Sequence, residues 1–156
     1  LFPDLPPAKR LEVMEACMEY ENQYLEDHPG ILYPQVAEVL QQLSWKYKLF
    51  IVSNCQKGYI EVLMRSCNLE EYITDIECYG NTGLSKADNI SMVIQRNHLD
   101  QSFYVGDTAM DAEAAAGAGI PFVHAAYGFG QVNGAEAVIR EFGELLQLSK
   151  KLLGED

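Results

Sequence analysis

Phe103-Tyr104-Val105-Gly106-Asp107-Thr108-Ala109-Met110-Asp111 decides how this chain reads. An apolar run ends at a glycine and two aspartates four positions apart, with the Ala-rich stretch 112–118 behind them. The run predicts a buried strand and the stretch behind it a helix, so the aspartates fall where strand gives way to helix. In open α/β sheets that C-terminal edge is where ligands bind. Paired carboxylates there suit Mg²⁺, a hard cation usually held by one or two carboxylates plus substrate phosphate and water. The plainer alternative is an aspartate capping a helix and another on its first turn, both common arrangements. The stretch alone leaves the two open.

Outward from it the same pattern repeats. Leu49-Phe50-Ile51-Val52 predicts another buried strand, Ile73 to Tyr79 a weaker one, and Ile120 to His124 a fourth. The spacing of Ile60, Leu63, Met64 and Cys67 predicts a helix over 58–68. Ile90, Val93 and Ile94 share a face of the next, with Ser85 as its N-cap and Asp88 in its first turn. Gly80-Asn81-Thr82-Gly83 predicts a loop, and the helix at 109–118 closes at Gly119. Tyr127-Gly128-Phe129-Gly130 predicts a loop bordering a pocket, and 135–153 a terminal helix with Val138, Phe142 and Leu145 inward. Ahead of the first strand, a helix over 8–26 sets Leu11, Met14, Met18 and Leu25 close to one face and ends at His28-Pro29-Gly30. A second helix runs from about Pro34 through Leu43. Strand and helix alternating four times imply βαβ units, right-handed crossovers and an α/β fold, a Rossmann-like parallel sheet sandwiched by helices.

Composition narrows the function classes. A chain of 156 residues with 48% hydrophobic and 22% charged residues can bury a real core. A net charge of −12 argues against a nucleic-acid partner, which needs a basic face. No apolar run approaches a membrane span and no signal-peptide pattern opens the chain, so the expected setting is cytoplasmic, with no membrane partner. Cys17, Cys55, Cys67 and Cys78 form no metal-binding spacing and read as buried free thiols. The opening run Leu1-Phe2-Pro3-Asp4-Leu5-Pro6-Pro7 reads as the middle of something longer.

Polar residues follow the first three strands: Ser53 and Asn54, then Lys86, then Asp107 and Asp111. Singly each has a dull explanation, a turn or cap for Ser53-Asn54 and a solvated surface charge for Lys86. In a parallel sheet they would line one edge. There a hydroxyl, backbone N–H groups, an ammonium and two carboxylates make the equipment for phosphoryl transfer, which is mostly positioning and charge neutralisation. His124, closing the fourth strand, reads as structural.

Apolar strand–Ser53-Asn54, then Gly83-Leu84-Ser85-Lys86, then Gly106-Asp107-x-x-x-Asp111 resembles motifs two, three and four of the haloacid dehalogenase-like hydrolases. The likeness is greatest to the phosphoglycolate phosphatase-like branch with a helical cap, and it covers about residues 31–130. The resemblance implies that residues 1–30 are the C-terminal part of that cap and 31–156 the α/β core. It implies that Ser53 and the Asn54 N–H bind the transferring phosphoryl group, that Lys86 neutralises it, that Asp107 ligates Mg²⁺ and that Asp111 supports the metal, through water. The family's nucleophile, an aspartate in an Asp-x-Asp motif on a central N-terminal strand, has no match here; neither Asp4 nor Asp75-Ile76-Glu77 fits. The expectation is a C-terminal piece of a longer chain, inactive alone, whose first strand belongs between those at 49–52 and 103–105. The implied activity is a Mg²⁺-dependent phosphatase acting on a small phosphorylated metabolite through an aspartyl-phosphate on that segment. A hexose-phosphate mutase of the same superfamily and a non-catalytic phosphate-binding or regulatory module are the alternatives. Monomer and homodimer are both compatible with the sequence.

Overall fold

The structure of the protein, a computed structural model, describes residues 2–154. Leu1, where the expected cap segment begins, and Glu155 and Asp156, where the expected core ends, lie outside the described residues. The apolar runs become short parallel strands. β1 (Phe50–Ser53) pairs with β2 (Asp75–Cys78), setting Ser53 opposite Cys78. β3 (Tyr104–Gly106), β4 (Phe122–Ala125) and β5 (Ala137–Ile139) form a second parallel sheet in the order β3-β4-β5, with Gly106 opposite His124. The α/β architecture, parallel strands flanked by helices, is the one the alternating pattern implies.

Two apolar cores hold the helices to the strands. α5 (Lys86–Arg96) and α6 (Ala109–Ala118) bury Ile90, Val93 and Ala114 against Val52 of β1. Small residues let these helices approach closely: a Cβ on Gly117 would stand 2.9 Å from that of Ala87. α2 (Val36–Ser44) and α7 (Leu145–Leu152) bring Val39, Leu43 and Leu145 onto Val123, Ala125 and Ile139. The start of α5 and the end of α6 follow their local sequence. Ser85 caps α5 by accepting the Asp88 N–H at 3.2 Å, and Gly119 ends α6 in the left-handed region, φ 74°.

Several elements depart from the periodicity. α2 starts at Val36 rather than Pro34, because Gln35 adopts φ 64° and cannot continue a helix. Residues 79–82 form a short helix, α4 (Tyr79–Thr82), instead of a loop. The expected helix over 135–153 is three elements: β5, a 3₁₀ turn at Phe142–Glu144, and α7. Ala137-Val138-Ile139 pairs along β4, where β-branched side chains fit a pleated surface, and this pairing overrides the helical spacing. Val138 accordingly points outward, at 46% exposure, while Ile139 is buried. α1 (Pro7–Asp27) buries none of its residues; Leu11 and Met14 are exposed, and the helix packs mainly on α3 (Tyr59–Ser66). Of the four free cysteines only Cys78 is buried, and Cys17 is exposed on α1. Among the described residues no helix is long and apolar enough to cross a membrane.

The two sheets meet without pairing. β1 and β3 face each other across a cavity of about 600 Å³ that both strands line, with Leu40 and Leu43 of α2 and Ile90 and Val93 of α5 also on its wall. The Tyr104 hydroxyl reaches across to donate to the Val52 carbonyl at 2.8 Å.

Candidate active site at the C-terminal strand edge

Parallel pairing sends the ends of β3 and β4 to one edge, and the Tyr104 hydroxyl on the Val52 carbonyl brings the end of β1 close to β3. β3 ends at Gly106, whose missing side chain makes room for Asp111: a Cβ would lie 2.5 Å from the Asp111 Cβ. Thr108 caps α6 and Asp111 is its N3 residue, so the two form a capping box. Asp111 Oδ2 accepts from the Thr108 hydroxyl at 2.7 Å, the Thr108 N–H at 3.1 Å and the Asp107 N–H at 3.3 Å. Its other oxygen, Oδ1, takes the Lys86 ammonium at 2.6 Å.

Lys86 is therefore no solvated surface charge. Its side chain is only 15% exposed and that of Asp111 8%. Burial alone would raise the Asp111 carboxyl, but Lys86 and Thr108 outweigh it and hold the group below the usual carboxylate range. The ammonium also stands 5.9 Å over the Tyr104 ring. Burial, and then the charges of Asp111 and Asp107, push the Tyr104 phenol well above its ordinary range, so it stays a protonated donor to Val52.

Asp107 sits one step out. Its Oδ2 accepts the Phe129 N–H at 2.7 Å, and no hydrogen bond to its Oδ1 is seen among the described residues. Ser53 ends β1 and is half-buried, next to the Val52 carbonyl that Tyr104 binds; exposed Asn54 follows it. Lys86, Asp107 and Asp111 are thus one cluster, and the residue before Ser53, Val52, is tied to Tyr104 beside it. Ser53 is not a helix cap, since Gly58 occupies that position for α3.

The donor set fits Mg²⁺ in a restricted way. Both Asp111 oxygens are committed to Lys86 and to α6, which leaves Asp111 to act on a metal through water. Asp107 keeps a free oxygen, and hard cations of this kind take few protein carboxylates and several waters. No group of three or more His, Cys, Asp and Glu side chains able to cage a metal occurs among the described residues. Of the carboxylate oxygens in this cluster, Asp107 Oδ1 is the one that could reach a cation directly.

Three participants escaped the sequence. Thr108 was legible in principle, because Thr108-x-x-Asp111 is a capping-box spacing. Tyr104 and the Phe129 amide were not, since each acts through a contact distant in sequence.

A haloacid dehalogenase-like hydrolase model matches residues 4–125. The chain belongs to that family. It is 23% identical over 152 residues to a phosphoglycolate phosphatase of Shigella boydii, a match covering 94% of this chain and 56% of that protein. The chain thus spans about half the length of the curated relative it matches. CbbY from Rhodobacter sphaeroides, solved in complex with phosphate, superposes with TM-score 0.77 at 20% identity, over 91% of this chain and 68% of that one. A phosphatase of the same family from Thermococcus onnurineus gives TM-score 0.73 at 23% identity, over 87% and 65%. These two likenesses show that the haloacid dehalogenase-like fold is shared.

Proposed function

We propose that this chain carries the phosphate-binding and metal-binding half of a Mg²⁺-dependent phosphatase for a small phosphorylated metabolite, of the phosphoglycolate phosphatase kind. The observation that carries the reading is the buried Lys86–Asp111 ion pair beside an Asp107 with one uncommitted oxygen. Structural ion pairs abound, but this one lies at the ligand edge of a parallel sheet in a family of hydrolases.

In this reading Lys86 neutralises phosphoryl oxygens, while the Ser53 hydroxyl and the Asn54 N–H donate to them. Asp107 holds the cation, and Asp111 fixes the Lys86 ammonium and orders water around the metal. Mg²⁺ at Asp107 supplies further neutralisation of charge on the transferring group. The nucleophilic carboxylate comes from an extended segment outside these residues, seated in the cavity between β1 and β3. Attack on phosphorus by that carboxylate releases the alcohol and leaves an acyl phosphate, which water then cleaves. Residues 1–30 are the C-terminal end of the cap in the same arrangement, and the rest of the cap selects the substrate.

Turnover of a generic phosphate monoester by the full-length protein tests this. Hydrolysis is expected only with Mg²⁺; Asp107→Asn should abolish it and Lys86→Ala should lower it by at least about a hundredfold, in line with loss of a transition-state charge contact. Wild-type rates in either variant, or full activity in excess chelator, would refute the assignment.

A further inference from the structure

We propose that the turn at residues 126–130 is a clamp built to orient Asp107, and that His124 is the positioning residue that sets the clamp. The inference rests on reading Asp107 as the cation's ligand and extends it to residues that touch neither metal nor substrate.

The turn is fixed at its base, where the Ala126 N–H donates to the Ile139 carbonyl at 2.9 Å and the Gly128 N–H to the Ala125 carbonyl at 3.0 Å. It then folds over Asp107 so closely that only glycine fits on either side of Phe129. A Cβ on Gly128 would stand 2.3 Å from the Asp107 Cβ and 2.4 Å from its Oδ2; one on Gly130 would stand 2.4 Å from the Asp107 carbonyl oxygen. Neither glycine has a positive φ, so close approach is what requires them. That approach is what lets the Phe129 N–H reach Asp107 Oδ2 at 2.7 Å. The Phe129 ring is 94% exposed and takes no part.

His124 closes the chain of contacts. It is 6% exposed and sits opposite Gly106 in the β3–β4 register, one strand over from the backbone that leads into Asp107. Its Nε2 lies 3.3 Å from the Gly130 carbonyl, and a carbonyl can only accept, so Nε2 carries the proton and donates. The imidazole holds Gly130, the turn holds the Phe129 amide, and the amide holds one oxygen of Asp107. The other oxygen is presented to a cation with its rotamer already fixed, so binding need not order the side chain. Groups that orient a ligand in this way commonly matter to metal affinity by about 10- to 100-fold.

Mn²⁺ binding to the full-length protein, followed by the paramagnetic resonance signal of the free ion, reads the clamp without reference to turnover. Gly128→Ala and His124→Leu should each weaken Mn²⁺ binding at least about tenfold. His124→Gln, whose side-chain amide can still donate to Gly130, should recover most of the loss. Gly30→Ala, with no atom within 4 Å of its added Cβ, should bind as the wild type does. Circular dichroism identifies any variant that fails to fold; should His124→Leu do so, Gly128→Ala and His124→Gln still decide. Wild-type affinity in a folded Gly128→Ala overturns the clamp. Affinity lost in His124→Leu and not recovered in His124→Gln removes His124 from it. A wild-type protein that binds no Mn²⁺ overturns the cation reading of Asp107, and the clamp with it.

Discussion

Asp111 stays ionised in a poorly solvated place because the Lys86 ammonium and the Thr108 donors outweigh its burial. Breaking such a pair from one side strands the other group in a poorly solvated site. The Thr108 donors remain, so Lys86→Met should cost about 3 kcal/mol at pH 7, the low end for buried pairs. The sign with pH follows from Asp111. Its folded carboxyl lies below the unfolded range, so its contribution is complete above that range and is lost as pH falls through the folded value. In Lys86→Met the ammonium no longer opposes burial, the carboxyl titrates higher, and protonation relieves the stranded charge. Urea midpoints of wild type and variant should therefore converge between pH 7 and pH 3, and a gap that stays constant would mean the pair contributes no electrostatic stability. At this scale the sequence was informative where a residue's role depends on its near neighbours. Asp107 and Asp111 were legible from Gly106-Asp107-x-x-x-Asp111, but the local pattern did not reveal that Asp111 spends both oxygens on other partners. That depends on a lysine 25 positions away, as the Tyr104 hydroxyl depends on a carbonyl 52 positions away.

α6 shows how an element carries a site. Its Ala-rich sequence would form a helix in many settings; the capping box of Thr108 and Asp111 fixes where it begins, and so where Asp107 leaves the strand. Thr108→Ala should lower stability by about 1 kcal/mol, the usual cost of losing an N-cap side chain. It also removes a 2.7 Å donor to Asp111, so the Asp111 carboxyl should titrate higher, measurable by carbon NMR of the side chain. An unchanged titration would mean Lys86 alone sets that group. The start of α5 and the end of α6 were legible because Ser85 and Gly119 are local punctuation. β5 was not, because Val138 and Ile139 satisfy helical spacing equally well and only the open edge of β4 decides between the two. α1 presents the opposite case: its spacing predicts an apolar face, yet with α3 as its main neighbour that face stays largely in solvent.

Across the whole molecule, the feature that matters most is the seam between β1 and β3. In a parallel sheet successive residues direct their backbone groups to opposite neighbours. The Tyr104 N–H donates to the Pro121 carbonyl at 2.9 Å, so Tyr104 and Gly106 face β4 and Val105 turns its N–H and C=O towards the seam. Val52 does the same from the other side, since its carbonyl takes the Tyr104 hydroxyl. Backbone groups left in such a place carry a cost unless water or another strand satisfies them. Amide exchange followed by NMR on the 156-residue chain should thus show Val105 exchanging much faster than Tyr104 and Gly106, its neighbours in the same strand. In a longer protein whose proposed extended segment sits between the half-sheets, the Val105 amide would gain the protection of its neighbours, while the amides facing β4 change little. Equal protection of all three in the 156-residue chain would mean that the seam is closed by some rearrangement of β1 and β3, and that no strand-sized seat exists there. The alternation of apolar runs made most of the strand and helix order legible, and the family resemblance placed a gap between 49–52 and 103–105; the backbone register shows that gap as a division into two half-sheets, β1-β2 and β3-β4-β5.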